Sequence, residues 1–101
     1  MSLSGLDAIL HPPARLQIAA LLAKVTDAEF ARLRAVTGVS DSVMSKHLAA
    51  LTEAGYVSLR KDIRDGRQRT WASLTRAGRA AFSAHVKALQ AIVAADGADR
   101  A

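Results

Sequence analysis

The sequence predicts a mainly α domain carrying a small β-hairpin, and three observations predict it. Apolar residues recur at helical spacing through most of the chain. One stretch instead alternates in strand fashion around Asp65-Gly66, a dipeptide that favours a two-residue hairpin turn. Residues that start and stop helices fall between the periodic segments.

Taken in order, Leu3, Leu6, Ile9 and Leu10 form a short amphipathic piece that ends at His11-Pro12-Pro13. Two prolines break one helix, and the second can begin another in its first turn. Ile18, Leu21, Leu22 and Val25 mark one face of a scaffold helix from Pro13 to about Lys24. Thr26-Asp27-Ala28-Glu29 has the spacing of a capping box, so the next helix is expected to start there. Phe30, Leu33 and Val36 give that helix its buried stripe, and Thr37-Gly38 ends it. Val39 is expected to bridge onward and to pair with the hairpin as a strand of one or two residues.

The segment from Ser40 to Ala54 has two faces with different jobs. Met44, Leu48 and Leu51 recur at i, i+4 and i+7, a stripe that must be buried, and Ser40 supplies the N-cap. The opposite side near the start carries Ser42, Val43, Ser45 and Lys46, short or cationic groups that let a helix approach a polyanion and touch base edges. Only a few residues separate Val36 from Ser40, the length at which two helices cross steeply in a helix-turn-helix. Gly55 can stop the second helix in a left-handed conformation. Tyr56 to Lys61 then alternate as a strand, and a second strand runs from Arg67 or Gln68 to Leu74. Val57, Leu59, Thr70, Ala72 and Leu74 share the inward parity; Trp71 falls on the other, where packing across the ribbon or onto a helix is its expected role. Arg64, Arg67 and Arg69 surround the tip. A helix-turn-helix followed by a basic hairpin is a winged helix-turn-helix, with a wing of two to three strands.

Ser45-Lys46-His47-Leu48, Leu51, Glu53-Ala54-Gly55-Tyr56-Val57, the Asp65-Gly66-Arg67 tip and Leu74-Thr75-Arg76-Ala77-Gly78-Arg79 together resemble small winged-helix transcriptional regulators of the MarR and ArsR families. The resemblance covers roughly residues 9–90; each short motif is weak alone, and their order and spacing carry the specificity. It implies a dimeric DNA-binding regulator. Ligand sensing at a cleft between dimer helices and DNA-binding part, as MarR relatives do, would make an unknown small molecule a further partner, and nothing in the residues specifies it.

Composition agrees. The 101 residues make one domain, half of them apolar, rich in alanine and with four Phe, Trp or Tyr, which suits close-packed helices. With no cysteine, disulfides and thiolate metal sites are excluded. The opening residues lack a basic stretch followed by a long apolar run, and no window reaches the length of a membrane span, so a cytoplasmic protein with no membrane contact is expected. The net charge is +5, of which residues 40–79 carry +4. The excess thus lies in the helix-plus-wing unit, where phosphates would be met.

Thr75 reads as the cap of a last helix running toward Ala95. Phe82, Val86, Leu89 and Val93 lie at i, i+4, i+7 and i+11, with Ala81, Ala88 and Ile92 widening the stripe beyond what one small core can cover. The surplus predicts a homodimer, with Leu3, Leu6, Ile9 and Leu10 as co-contributors. The organisation expected over 1–101 is a core at about 9–75, dimerisation segments at about 3–10 and 75–95, and a frayed tail at 96–101.

The contacts divide by type. Ser42, Ser45 and His47 beside the helix, and Arg64, Arg67 and Arg69 in the wing, would hold the phosphate backbone. Ser42, Val43 and Lys46 would read bases: Lys46 can donate to guanine, and Val43 can pack on a thymine methyl. His47 lies beside the buried stripe, so packing with one hydrogen bond competes with phosphate contact. Asp41 either caps the helix or accepts from cytosine. Arg60 and Lys61 read as DNA contacts or as charges that blunt the ribbon against edge pairing. No enzyme reading survives: His11, His47 and His85 are far apart in sequence, and no glycine-rich phosphate loop or metal spacing is present, so neither cofactor nor metal is assigned. A histidine site at the dimer seam, using His85 or His11 with acidic residues, is the one metal option left. Promoter occupancy makes repression the expected mode. The competing class is a winged helix that binds another protein instead of DNA.

Overall fold

The computed structural model describes residues 5–99. In chain order they form α1 (Pro13–Leu22), β1 (Ala28–Glu29), α2 (Phe30–Thr37), α3 (Asp41–Glu53), β2 (Val57–Arg64), β3 (Arg67–Leu74) and α4 (Arg76–Asp99). The strands make one antiparallel sheet in the order β1-β3-β2.

Pro13 occupies the first turn of α1, where its missing N–H costs nothing. Ile18, Ala19 and Leu22 are fully buried. They meet Leu33 of α2 and Met44, Leu48 and Leu51 of α3, so three helices close over one core. Gly38 ends α2 at φ 74°, and its N–H bonds the Arg34 carbonyl at 2.8 Å. Val57, Ala72 and Leu74 complete the core from the sheet.

Four expectations are corrected. Residues 26–29 do not form a capping box; Glu29 precedes α2 with no side-chain cap, and Ala28 and Glu29 instead pair with Ala72 and Trp71 of β3. The third strand is therefore supplied before α2, and Val39 stays outside the sheet. Val36 is 48% exposed because α2 has only eight residues and seats Leu33 alone at full depth. Leu59, on the inward parity, is 41% exposed although its partner Ala72 is buried, because β2 is an edge strand of the sheet and β3 lies at its centre.

The segment before α1 is folded as turns. The Asp7 carboxylate accepts from the amides of Ile9 and Leu10 at 2.8 and 3.3 Å and from the Tyr56 hydroxyl at 2.6 Å. The Asp7 amide donates to Nδ1 of His85 on α4 at 2.9 Å. His85 is fully buried, and the His11 ring meets it edge-on at 5.5 Å, so histidines distant in sequence are neighbours in space. Leu10 is also fully buried, within the protomer core.

Thr75 joins the loop after α3 to the start of α4. Its N–H bonds the Tyr56 carbonyl, its hydroxyl donates to the Gly55 carbonyl at 2.6 Å, and the same oxygen accepts from the Gly78 amide at 3.0 Å. A methyl group at Gly78 would collide with the Tyr56 carbonyl oxygen, so only glycine lets α4 approach this closely. Arg79 donates to the carbonyls of Ala23 and Val25 at 3.3 and 3.1 Å, fastening the end of α1 to α4. The molecule measures 60 × 25 × 21 Å.

Candidate nucleic-acid interface

Ser40 caps α3: its backbone is extended, and its Oγ accepts from the Val43 amide at 3.3 Å. Burial of Met44, Leu48 and Leu51 fixes the helix's rotation about its axis, which turns Ser42, Val43, Ser45 and Lys46 to solvent. The first two turns of α3 thus offer polar and cationic side chains near the positive end of the helix dipole.

Asp41 does not cap α3, since Ser40 holds that position. Arg34 of α2 donates to its carboxylate at 2.6 Å, so the acid is neutralised by a cation on the preceding helix. Arg34 was not singled out by the sequence because the pairing crosses the turn between the two helices and belongs to no periodic pattern.

His47 sits at the edge of the buried stripe and is half-exposed. Its Nδ1 accepts from Arg15 Nε of α1 at 3.1 Å, and the same guanidinium reaches the Ile9 carbonyl at 3.3 Å. Burial and the Arg15 charge both push the His47 imidazole below its ordinary range.

In the wing, Asp65 and Gly66 have φ of 51° and 74°, the left-handed pair of a type I′ turn. Register places Arg60, Asp62 and Arg64 of β2 on the same face as Trp71, Arg69 and Arg67 of β3. All four arginines therefore share one side of the ribbon. On it Arg60 bridges Asp62 and Asp27 at 2.9 and 3.0 Å. The Trp71 indole donates to Asp62 at 3.1 Å, and its ring lies beneath the guanidinium carbons of Arg60 and Arg64 at 5.7 and 5.1 Å. Burial pushes the Asp62 carboxyl up, but the bonds from Arg60 and Trp71, with the charges of Arg64 and Arg60, bring it below its usual range. Trp71 thus packs across the ribbon and carries two arginines on its ring.

The three tip arginines are not equivalent. Arg64 lies over Trp71, with Asp62 3.7 Å away. Arg69 is half-buried and donates to Glu29 of β1 at 2.8 Å, because its strand position turns it toward the short strand the sequence did not reveal. Arg67 is exposed and pairs with no carboxylate among the described residues. Arg60 is held by carboxylates on either side.

The expected dimer residues also separate. Leu3 lies outside the described residues. Leu10 belongs to the core and has no surface left for a second copy. Leu6, Phe82, Val86 and Leu89 are half-buried, with Phe82 packed on the core, and Val93 is 71% exposed. No group of three His, Asp or Glu suited to a metal ion occurs among the described residues, and no helix among them is long and apolar enough to cross a membrane.

Comparison with known proteins agrees with this geometry. Residues 14–93 match a family described as winged helix DNA-binding domain. An uncharacterized protein of Methanocaldococcus jannaschii is 32% identical over 78 residues, covering 77% of this chain and 85% of that one. A transcriptional regulator homologue from Pyrococcus horikoshii superposes with a TM-score of 0.82 at 29% identity, over 92% of this chain and 90% of the other. A MarR-family transcriptional regulator from Silicibacter pomeroyi gives 0.65 at 26% identity, over 83% and 56%.

Proposed function

The chain belongs to the winged helix DNA-binding domain family, and from that membership we propose a dimeric, sequence-specific repressor that lays α3 in the major groove and its arginine wing along the backbone or minor groove. One observation carries the reading. The capped, solvent-facing first turn of α3 and the arginine-bearing ribbon are both exposed, joined through a core that fixes their relative placement.

Lys46 and Val43 read bases, Ser42 adds a hydroxyl to the same task, and Ser45, His47, Arg64, Arg67 and Arg69 hold phosphates. Arg69 does so in competition with Glu29. Two copies associate through α4, where Val86, Leu89 and Val93 continue past the core contact made by Phe82, with half-buried Leu6 as a further contributor. A two-fold pair presents two α3 helices to two half-sites, and occupying such a site blocks a promoter. Selection of bound sequences from a random duplex pool tests this reading: a two-fold motif is the expected outcome. Binding that is flat with salt, or tight binding only to another protein, would overturn it, because a contact using roughly 6–10 phosphates loses several orders of magnitude in affinity between low and moderate salt.

A further inference from the structure

His47 is the one member of the expected DNA contacts whose side chain is gripped by another helix. An arginine has donors only, so the nitrogen that accepts from Arg15 must carry a lone pair. With Nδ1 so engaged, the hydrogen of the ring sits on Nε2. Nε2 has no protein partner among the described residues and is not among the buried unpaired atoms, so that hydrogen is open to solvent. His47 follows Val43 by four residues, which stacks the two along one edge of α3.

Arg15 is itself braced. Its Nε and NH1 are spent on two different segments, the His47 ring and the Ile9 carbonyl before α1. An arginine held at both points cannot swing to a phosphate without releasing the imidazole. Its position therefore serves the ring more than it serves the solvent.

We propose that Arg15 is a positioning residue for DNA binding: by donating to Nδ1 it fixes the His47 ring with the hydrogen on Nε2 and aims that hydrogen, along the edge of α3, at a phosphate oxygen of the bound duplex. The inference rests on the DNA-binding reading above. It makes a residue of α1, outside the helix-turn-helix and the wing, part of the interface. A fixed donor forms its bond without first losing ring freedom, so the contact depends on both residues together.

The test is a double-mutant cycle on the full chain, using the tightest duplex recovered from a random pool as probe. Arg15→Met and His47→Ala are each expected to weaken binding about tenfold, and the double variant no more than either alone, as for groups acting as a unit. Arg15→Lys, which keeps a cationic donor, recovers most of the loss. By nuclear magnetic resonance, the wild-type ring shows its proton on Nε2, and in Arg15→Met the His47 midpoint rises toward the ordinary histidine value. Thermal unfolding confirms that the variants are folded; should Arg15→Met not fold, Arg15→Gln replaces it. Losses that multiply in the double variant, or an Arg15→Met protein that binds like wild type, overturn the inference while the DNA reading stands. A wild-type protein that binds no duplex overturns the DNA reading and this inference with it.

Discussion

The Tyr56 hydroxyl donates to the Asp7 carboxylate at 2.6 Å, fastening the turns before α1 to the loop between α3 and β2. The two residues are 49 apart in sequence, so this single bond closes a long loop. Tyr56→Phe removes the donor and leaves a half-buried carboxylate short of one partner. A loss of about 1–3 kcal/mol is expected, seen as a lower urea midpoint with an unchanged slope.

The same carboxylate sets an acid limit. Burial pushes Asp7 up, but the bonds from Tyr56, Ile9 and Leu10 and the attraction of His85 outweigh it, and the group titrates below its ordinary range. A depressed folded-state value means that its contribution is complete above the unfolded value and is lost as pH falls through the folded one. Stability measured from about pH 6 down to about pH 2 should therefore decline below roughly pH 4. Asp7→Asn removes part of that slope; an identical acid profile would show that Asp7 is not responsible.

Gly78 is a packing glycine. The Gly78→Ala methyl group meets the Tyr56 carbonyl, so the first turn of α4 must withdraw from Thr75. We expect about 1–3 kcal/mol of destabilisation and a fall in melting temperature of several degrees per kcal/mol.

Arg34 and Asp41 form an exposed ion pair, with side chains 47% and 68% accessible, so it adds little to stability. Its effect should appear on DNA. Asp41→Asn is expected to tighten binding to every duplex severalfold, and Arg34→Ala to weaken it while uncovering the Asp41 charge. Fluorescence anisotropy at fixed salt measures both; equal affinities throughout would place the pair away from the duplex.

Lys46 and Arg67 should differ in kind. Lys46→Ala is expected to relax preference at one base position, costing about 1–3 kcal/mol there. Arg67→Ala should weaken all duplexes alike and lower the salt slope by about one. Repeating the pool selection with each variant separates them; uniform, sequence-independent losses from both would remove the division between reading and anchoring.

Much of this fold was legible because long elements leave long signals. The stripe of Met44, Leu48 and Leu51 and the Ser40 cap located α3, and Asp65-Gly66 located the turn of the wing, since few other residues adopt two successive positive φ angles. The misreading at residues 26–29 has the opposite cause. A two-residue strand has no period, and Thr26 to Glu29 matched a capping pattern by composition while the fold used Glu29 to hold Arg69. Leu10 shares an amphipathic pattern with Leu3 and Leu6 that predicts a place at the dimer seam, yet the turns set by Asp7 direct it inward. Arg15, Arg34 and Asp62 escaped notice for one reason: each acts through a partner that only the folded chain brings near.

Thr75 ties Gly55 and Tyr56, just past the end of α3, to Gly78 in the first turn of α4, so the loop leaving one helix and the start of the other are held together. A helix of 13 residues is about 20 Å long, so a tilt of about 10° at the end nearest Thr75 sweeps the other end through about 3.5 Å, close to the rise of one nucleotide step. On the proposed mode of binding, a shift at Thr75 would be felt at the other end of α3 as a change of register against the duplex.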